Sequence, residues 1–177
     1  MAVTVRQTES APEAYPDAPE GLSTEAAAID PALIWQRIES YVAWRGAARD
    51  VEWIVEGEGE WCPPLKPATI ATTEGWSDDA WQAVELRPTA LSGYCLPGCG
   101  PYRIAGTVGD DAADVPALIM EAFRRLAEYF AALGFDDVGK RSESVPDIWQ
   151  GEYDNRARAR ALQDSGAADL LRTFRRA

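Results

Sequence analysis

Apolar positions along the chain change period twice. Asp30-Pro31 reads as an N-cap followed by proline at the first helical position, where a missing N–H does no harm. Ile34, Ile38, Tyr41 and Val42 then recur at helical spacing and Gly46 closes the run, which predicts a helix of about four turns. Beyond it the period falls to two. Val51, Trp53 and Val55 alternate with Glu52, Ile54 and Glu56, and Tyr102, Ile104 and Gly106 alternate with Arg103, Ala105 and Thr107, as half-buried strands do. Residues 68–73 and 81–86 suit strands as well, and the Gly and Pro residues between 57 and 101 punctuate this region too densely for long helices. The helical period returns with Ile119, Ala122, Phe123, Leu126, Phe130 and Leu133, a buried stripe on one face of a helix that starts near Pro116 and ends before Gly134. Asp110, Asp111 and Asp114 precede it, where negative charge favours the positive end of the helix dipole. A last helical segment is expected from about Asn155, interrupted at Ser165-Gly166. Leu170, Leu171 and Phe174 follow as an apolar cluster flanked by Arg172, Arg175 and Arg176.

These elements predict an α+β fold, a mainly helical core of two principal helices with a strand-rich insertion and extended terminal arms. Ile119, Phe123, Leu126 and Phe130 form its central helix face. Residues 1–29, rich in Pro, Glu, Ala, Ser and Thr, are expected to be a flexible N-terminal arm. Residues 30–135 form the core domain, with the insertion at about 51–108, and residues 136–177 form a C-terminal arm and helix. A helix as short as the last one is marginal alone in water, so it needs a surface to pack on.

Composition sharpens this picture. At 177 residues the chain is long enough for one ordinary domain with a real core. No stretch approaches the roughly 18 consecutive apolar residues of a membrane span, and the first residues lack a signal pattern, so a soluble protein made in a cytoplasm is expected. The formal net charge is −12, which argues against general nucleic-acid binding. The charge is uneven: from Asn155 to Ala177 six arginines face Asp164 and Asp169, which gives +4 there and −16 elsewhere. A basic tail on an acidic body suggests two surfaces with different partners.

The chain contains no histidine, which removes the commonest general base and metal ligand. Cys62, Cys95 and Cys99 are an odd number and are expected as reduced thiols; Cys95 and Cys99 stand at C-x3-C, and a four-thiolate metal site would lack its fourth ligand. The acidic groups Glu56, Glu58 and Glu60, then Asp78 and Asp79, then Asp110, Asp111 and Asp114, read as solvated faces or a helix start, and the last group lacks the calcium-loop spacing. With only Lys66 and Lys140 available, a serine-lysine arrangement has no local context, and no nucleophile elbow, phosphate loop or dinucleotide fingerprint is present. A non-enzymatic protein without cofactor or metal is therefore expected. Trp53, Trp61, Trp76 and Trp81 lie in or beside the strands, where core or subunit contact is the better reading. A small-molecule or carbohydrate-binding module built on them is the contrasting alternative.

Two stretches carry a resemblance. The run Gly106-Thr107-Val108-Gly109, followed by Val115-Pro116 and the amphipathic helix of residues 117–133, and the ending Ser165-Gly166-Ala167-Ala168-Asp169-Leu170-Leu171-Arg172-Thr173-Phe174-Arg175 resemble the phage head-tail connector (adaptor) family of long-tailed phages and gene transfer agents. The resemblance spans residues 102–175. It implies a virion protein of the head-tail neck, assembled in the bacterial cytoplasm as a homo-oligomeric ring, commonly of twelve subunits, beneath the portal. Such a ring would join the portal to the tail machinery and continue the DNA channel, passing DNA without sequence-specific binding. Carried onto this chain, Leu170, Leu171 and Phe174 become apolar portal anchors with Arg172 and Arg175 as charged contacts. The partners implied are the portal protein, a stopper or tail-completion protein, and further copies of the chain; no membrane is involved. The alternative within assembly proteins is another neck component, a stopper or tail-completion subunit. The tryptophan- and proline-rich stretch from 51 to 101 departs from the compact helical members of the family.

Overall fold

A computed structural model describes residues 1–90, 92–134, 142–145, 149–152 and 159–175. The chain divides into two compact units. Met1–Pro16 and Ala43–Ala113 make a strand unit, and Asp17–Val42 with Asp114–Arg175 make a helical unit.

The strand unit is built on a five-stranded antiparallel sheet in the order β1-β2-β8-β4-β5, formed by β1 (Val3–Glu9), β2 (Arg49–Glu56), β8 (Tyr102–Val108), β4 (Ala68–Ser77) and β5 (Ala80–Ala83). A three-stranded sheet, β3-β7-β6, comes from β3 (Gly59–Trp61), β7 (Tyr94–Leu96) and β6 (Arg87–Pro88). The expected alternation operates on the central strands: Val51, Trp53 and Val55 of β2 and Tyr102, Ile104 and Val108 of β8 point into one core. Trp61, Leu65, Leu86 and Leu96 complete that core, with the Trp53 and Trp61 rings edge to face at 5.5 Å. Each fully buried aliphatic or aromatic side chain contributes about 1.5–3 kcal/mol of transfer free energy.

In the helical unit, α3 (Ala117–Ala132) runs 16 residues and buries Ile119, Ala122, Phe123, Leu126, Ala127 and Phe130 on one face. Its neighbours are short: α1 (Thr24–Ala27), α2 (Pro31–Glu39), α4 (Ala161–Asp164), α5 (Ala167–Leu170) and a 3-10 turn at Leu171–Phe174, all of which contact α3. Trp35 of α2 meets Phe123 with ring centroids 4.9 Å apart. β9 (Ser142–Val145) and β10 (Trp149–Glu152) form a separate antiparallel pair.

The mainly helical core with a strand-rich insertion is thereby corrected: the protein is strand-rich, and α3 alone is a long helix among the described residues. Residues 51–108 carry a ten-residue buried cluster and are a core in their own right. The first helix starts where expected, with the Asp30 carboxylate accepting from the Ala32 N–H at 2.9 Å, but it stops at Glu39. There the Ser40 hydroxyl donates to the Arg37 carbonyl at 2.7 Å and the Tyr41 N–H closes a tighter turn onto Ile38 at 2.9 Å, a competing set of bonds that ends helices. The backbone of residues 43–45 then bonds to Lys66, with the Lys66 N–H donating to the Ala43 carbonyl at 3.0 Å and the Arg45 N–H to the Lys66 carbonyl at 2.9 Å.

The extended terminal arms are corrected too. Residues 3–9 are an edge strand paired with β2, and Ala26 and Ile29 are buried in the helical unit. At the other end, residues 161–174 fold as short helical turns against α3. The expected helix start at Asn155, and Arg156, Arg158, Lys140 and Arg176, lie outside the described residues.

Candidate functional site

The C-terminal segment is the first candidate. Ser165 and Gly166 separate α4 from α5: Gly166 takes φ +74°, a left-handed conformation that glycine adopts without strain, and the Ser165 hydroxyl accepts from the Ala167 N–H at 3.3 Å. The turn directs the two leucines that follow to different environments. Leu171 is fully buried, whereas Leu170 and Phe174 are half-buried. Leu171 therefore belongs to its own unit's interior, which corrects its assignment as an anchor for another chain. Arg172 and Arg175 are exposed. Arg172 faces Asp169 at 3.9 Å across solvent, an arrangement of little energetic weight, and the Arg175 guanidinium stacks 4.7 Å above the Tyr41 ring. On the same unit Arg37 Nη2 donates to the Ala159 carbonyl at 3.1 Å and Tyr129 Oη to Asp164 at 3.4 Å. This segment contacts α3, whose buried face carries Ile119, Phe123, Leu126 and Phe130.

The second candidate is the β4–β5 hairpin. Trp76 and Trp81 are register partners, edge to face at 5.2 Å, across a two-residue turn in which Asp78 and Asp79 take φ +53° and +59°. Both residues left-handed is the turn geometry that matches strand twist in a tight hairpin, and Asp tolerates it. Arg103 sits 4.9 Å above Trp81 and donates from Nε to Glu74 at 2.6 Å. That hydrogen bond comes first among the influences holding the Glu74 carboxyl below the ordinary range, with burial opposing it. Trp76 is exposed, while Trp53 and Trp61 are buried core and unavailable to a ligand.

The third is the sheet edge at β1, which the sequence reading missed. Its polar residues Thr4, Gln7 and Glu9 turn inward and its apolar Val3 and Val5 turn outward. The indole N–H of Trp61 donates to Thr4 Oγ1 at 2.9 Å, and that of Trp53 donates to Gln7 Oε1 at 3.1 Å. Gln7 in turn donates to Glu9 at 2.7 Å, and Glu9 receives both Nε and Nη2 of the buried Arg45, at 2.6 and 3.1 Å. Burial raises the Glu9 carboxyl, but the Arg45 bond and charge outweigh it and hold the group below its ordinary value.

The acidic residues Glu56, Glu58, Glu60, Asp78 and Asp79 are exposed. Asp110 and Asp111 are backbone clasps: they accept from the Ala112 N–H at 2.9 Å and the Ala48 N–H at 2.8 Å. Cys62, Cys95 and Cys99 are exposed. The glycines of the Gly106–Gly109 run are demanded by close backbone approach, since a Cβ on Gly106 would lie 2.0 Å from the Thr69 carbonyl oxygen and one on Gly109 2.1 Å from that of Ala47. No helix among the described residues is long and apolar enough to cross a membrane.

No family model matches the chain, and no curated protein matches it. A similar solved structure is a chain of the neck of a native gene transfer agent particle, computed with C12 symmetry. It is 14% identical, the likeness covers 83% of this chain and 80% of that one, and the TM-score is 0.52. The two chains share a fold.

Proposed function

We propose that this chain is a structural, non-enzymatic subunit of the neck of a phage-like particle: a head-tail connector that forms a ring, adjoins the portal and continues the DNA channel. The observation that carries the reading is the likeness over most of both chains to a component of a gene transfer agent neck. The order of elements suits the motifs that resemble the connector family, with the Gly106–Gly109 run closing β8 and the next turn leading into α3. The acidic surface favours a conduit, since carboxylates repel phosphate and let a duplex slide without adhering.

Portal docking falls to the side chains of the C-terminal segment that remain outside: Leu170 and Phe174 as apolar contacts, Arg172 and Arg175 as charged ones. Weak single contacts of this kind become a firm joint when many copies dock together. Cutting the chain at Asp164 would also remove the buried Leu171, so substitution is the cleaner test. The variant Leu170→Asp with Phe174→Ser keeps Leu171 and is expected to lose co-sedimentation with a portal ring while still unfolding in one cooperative thermal transition. Undiminished co-sedimentation would remove the docking assignment.

A further inference from the structure

The five-stranded sheet ends in two open edges. One is β1. The other is the part of β4 that β5 does not reach: β5 pairs from Glu74 to Ser77 and one more bond joins Val84 to Thr73, which leaves residues 68–72 without a strand on that side among the described residues. Soluble proteins blunt such edges with charge, proline or a covering element. Here β1 turns Val3 and Val5 outward at 56% and 60% exposure, and Ala68-Thr69-Ile70-Ala71-Thr72 is uncharged.

The two edges also match one another. Every neighbouring pair in the sheet is antiparallel, so β1 and β4 run in opposite directions. A rotation about an axis near the strand direction preserves those directions and brings β1 of one copy antiparallel to β4 of the next. Each edge carries one register shift, at Val5 in β1 and at Ala71 in β4. A regular strand fits neither, because an extra residue throws its ladder out of step. Two strands with one extra residue each stay in step when Val5 stands opposite Ala71.

We infer that copies of this chain join edge to edge, β1 of one against residues 68–72 of the next, in a continuous antiparallel sheet. The contact is head to tail and closes into a ring under a suitable rotation. The inference rests on the ring-forming reading above. Because the next copy's β1 lies beside β4 in line with β5, the repeat is the four strands β1, β2, β8 and β4; at about 4.8 Å per strand they span about 19 Å, and twelve copies would give a circumference of about 230 Å and a diameter of about 73 Å, a ring wall around a wide opening.

The test places Val5→Cys and Ala71→Cys in one chain whose Cys62, Cys95 and Cys99 are serine, followed by mild oxidation with oxidised glutathione and non-reducing electrophoresis. A ladder of multiples of 19.3 kDa is expected from the double variant, and none beyond a dimer from either single variant. Absence of the ladder from an assembled sample overturns the inference. In parallel, Val3→Lys with Val5→Lys changes only exposed side chains and is expected to shift the sedimenting species to monomer with the thermal midpoint unchanged; undiminished oligomer mass overturns the edge contact. A ladder from a protein that ignores portal rings leaves the inference standing and removes the portal reading. A ring that binds portal without forming the link does the reverse. A wild-type chain that stays monomeric alone and with portal overturns both.

Discussion

The helical unit and the strand unit reach stability by opposite routes. In the helical unit one 16-residue helix supplies a continuous apolar face, and short turns lean on it. In the strand unit the partners are far apart in sequence: Gln7 serves Trp53, 46 residues away, and Thr4 serves Trp61, 57 residues away. The first arrangement tolerates polar loss and suffers from cavities. The second depends on polar groups that keep buried indoles and a buried arginine satisfied, so a single unmade bond is costly there.

Truncation at the two cores should show the largest effects and the least contrast. Phe123→Ala in α3 and Trp53→Ala in β2 are each expected to lose about 3–5 kcal/mol in chemical denaturation, since both side chains are almost wholly buried. A loss under 1 kcal/mol at either position would move it out of the core.

Neighbouring leucines at the chain's end sharpen the contrast within the helical unit. Leu171→Ala should cost about 2–5 kcal/mol. Leu170→Ala, half-buried, should cost less than half as much. Equal losses would mean that both serve the interior, leaving nothing apolar from this pair for a partner.

Polar loss in the strand unit comes next. Glu9→Gln removes the carboxylate charge that faces the buried Arg45 at 2.6 Å and should cost about 1.5–3 kcal/mol at neutral pH. Glu9 is held below its ordinary value, so its contribution is fully present above about pH 4.3, the unfolded carboxyl's range, and is lost as pH falls through the lower folded value. The gap between wild type and variant should therefore close on acidification in that window. A gap that widens would reverse the sign assigned to the ion pair. Thr4→Val, which orphans the Trp61 indole, should cost about 1–3 kcal/mol, read from the same denaturation curves.

The smallest effect belongs to the outermost residue. Arg172→Ala should change stability by less than about 0.5 kcal/mol, because its ion pair with Asp169 is open to solvent.

The same contrast explains what the amino-acid pattern disclosed. Ile119, Phe123, Leu126 and Phe130 announce α3 because a helix against a core writes its burial as a 3.6-residue period. Val51, Trp53 and Val55 announce β2 in the same way with a period of two. β1 escaped because its pattern is reversed: the inward side is Thr4, Gln7 and Glu9, whose purpose is visible only beside Trp61, Trp53 and Arg45. The first helix was read too long because Tyr41 and Val42 continue its spacing, while the Ser40 hydroxyl bond that ends it leaves no mark on hydropathy. The apolar cluster at Leu170, Leu171 and Phe174 was legible as a cluster, but not how the Gly166 turn shares it between interior and surface. The open edges were not legible at all, since they depend on which strands stop pairing and where.

Electron-microscopic class averages of the purified protein, alone and with a portal ring, address the assembly directly. Rotationally symmetric rings of this chain, seated coaxially on the portal, are the expected result. Featureless particles of monomer size in both samples would contradict it.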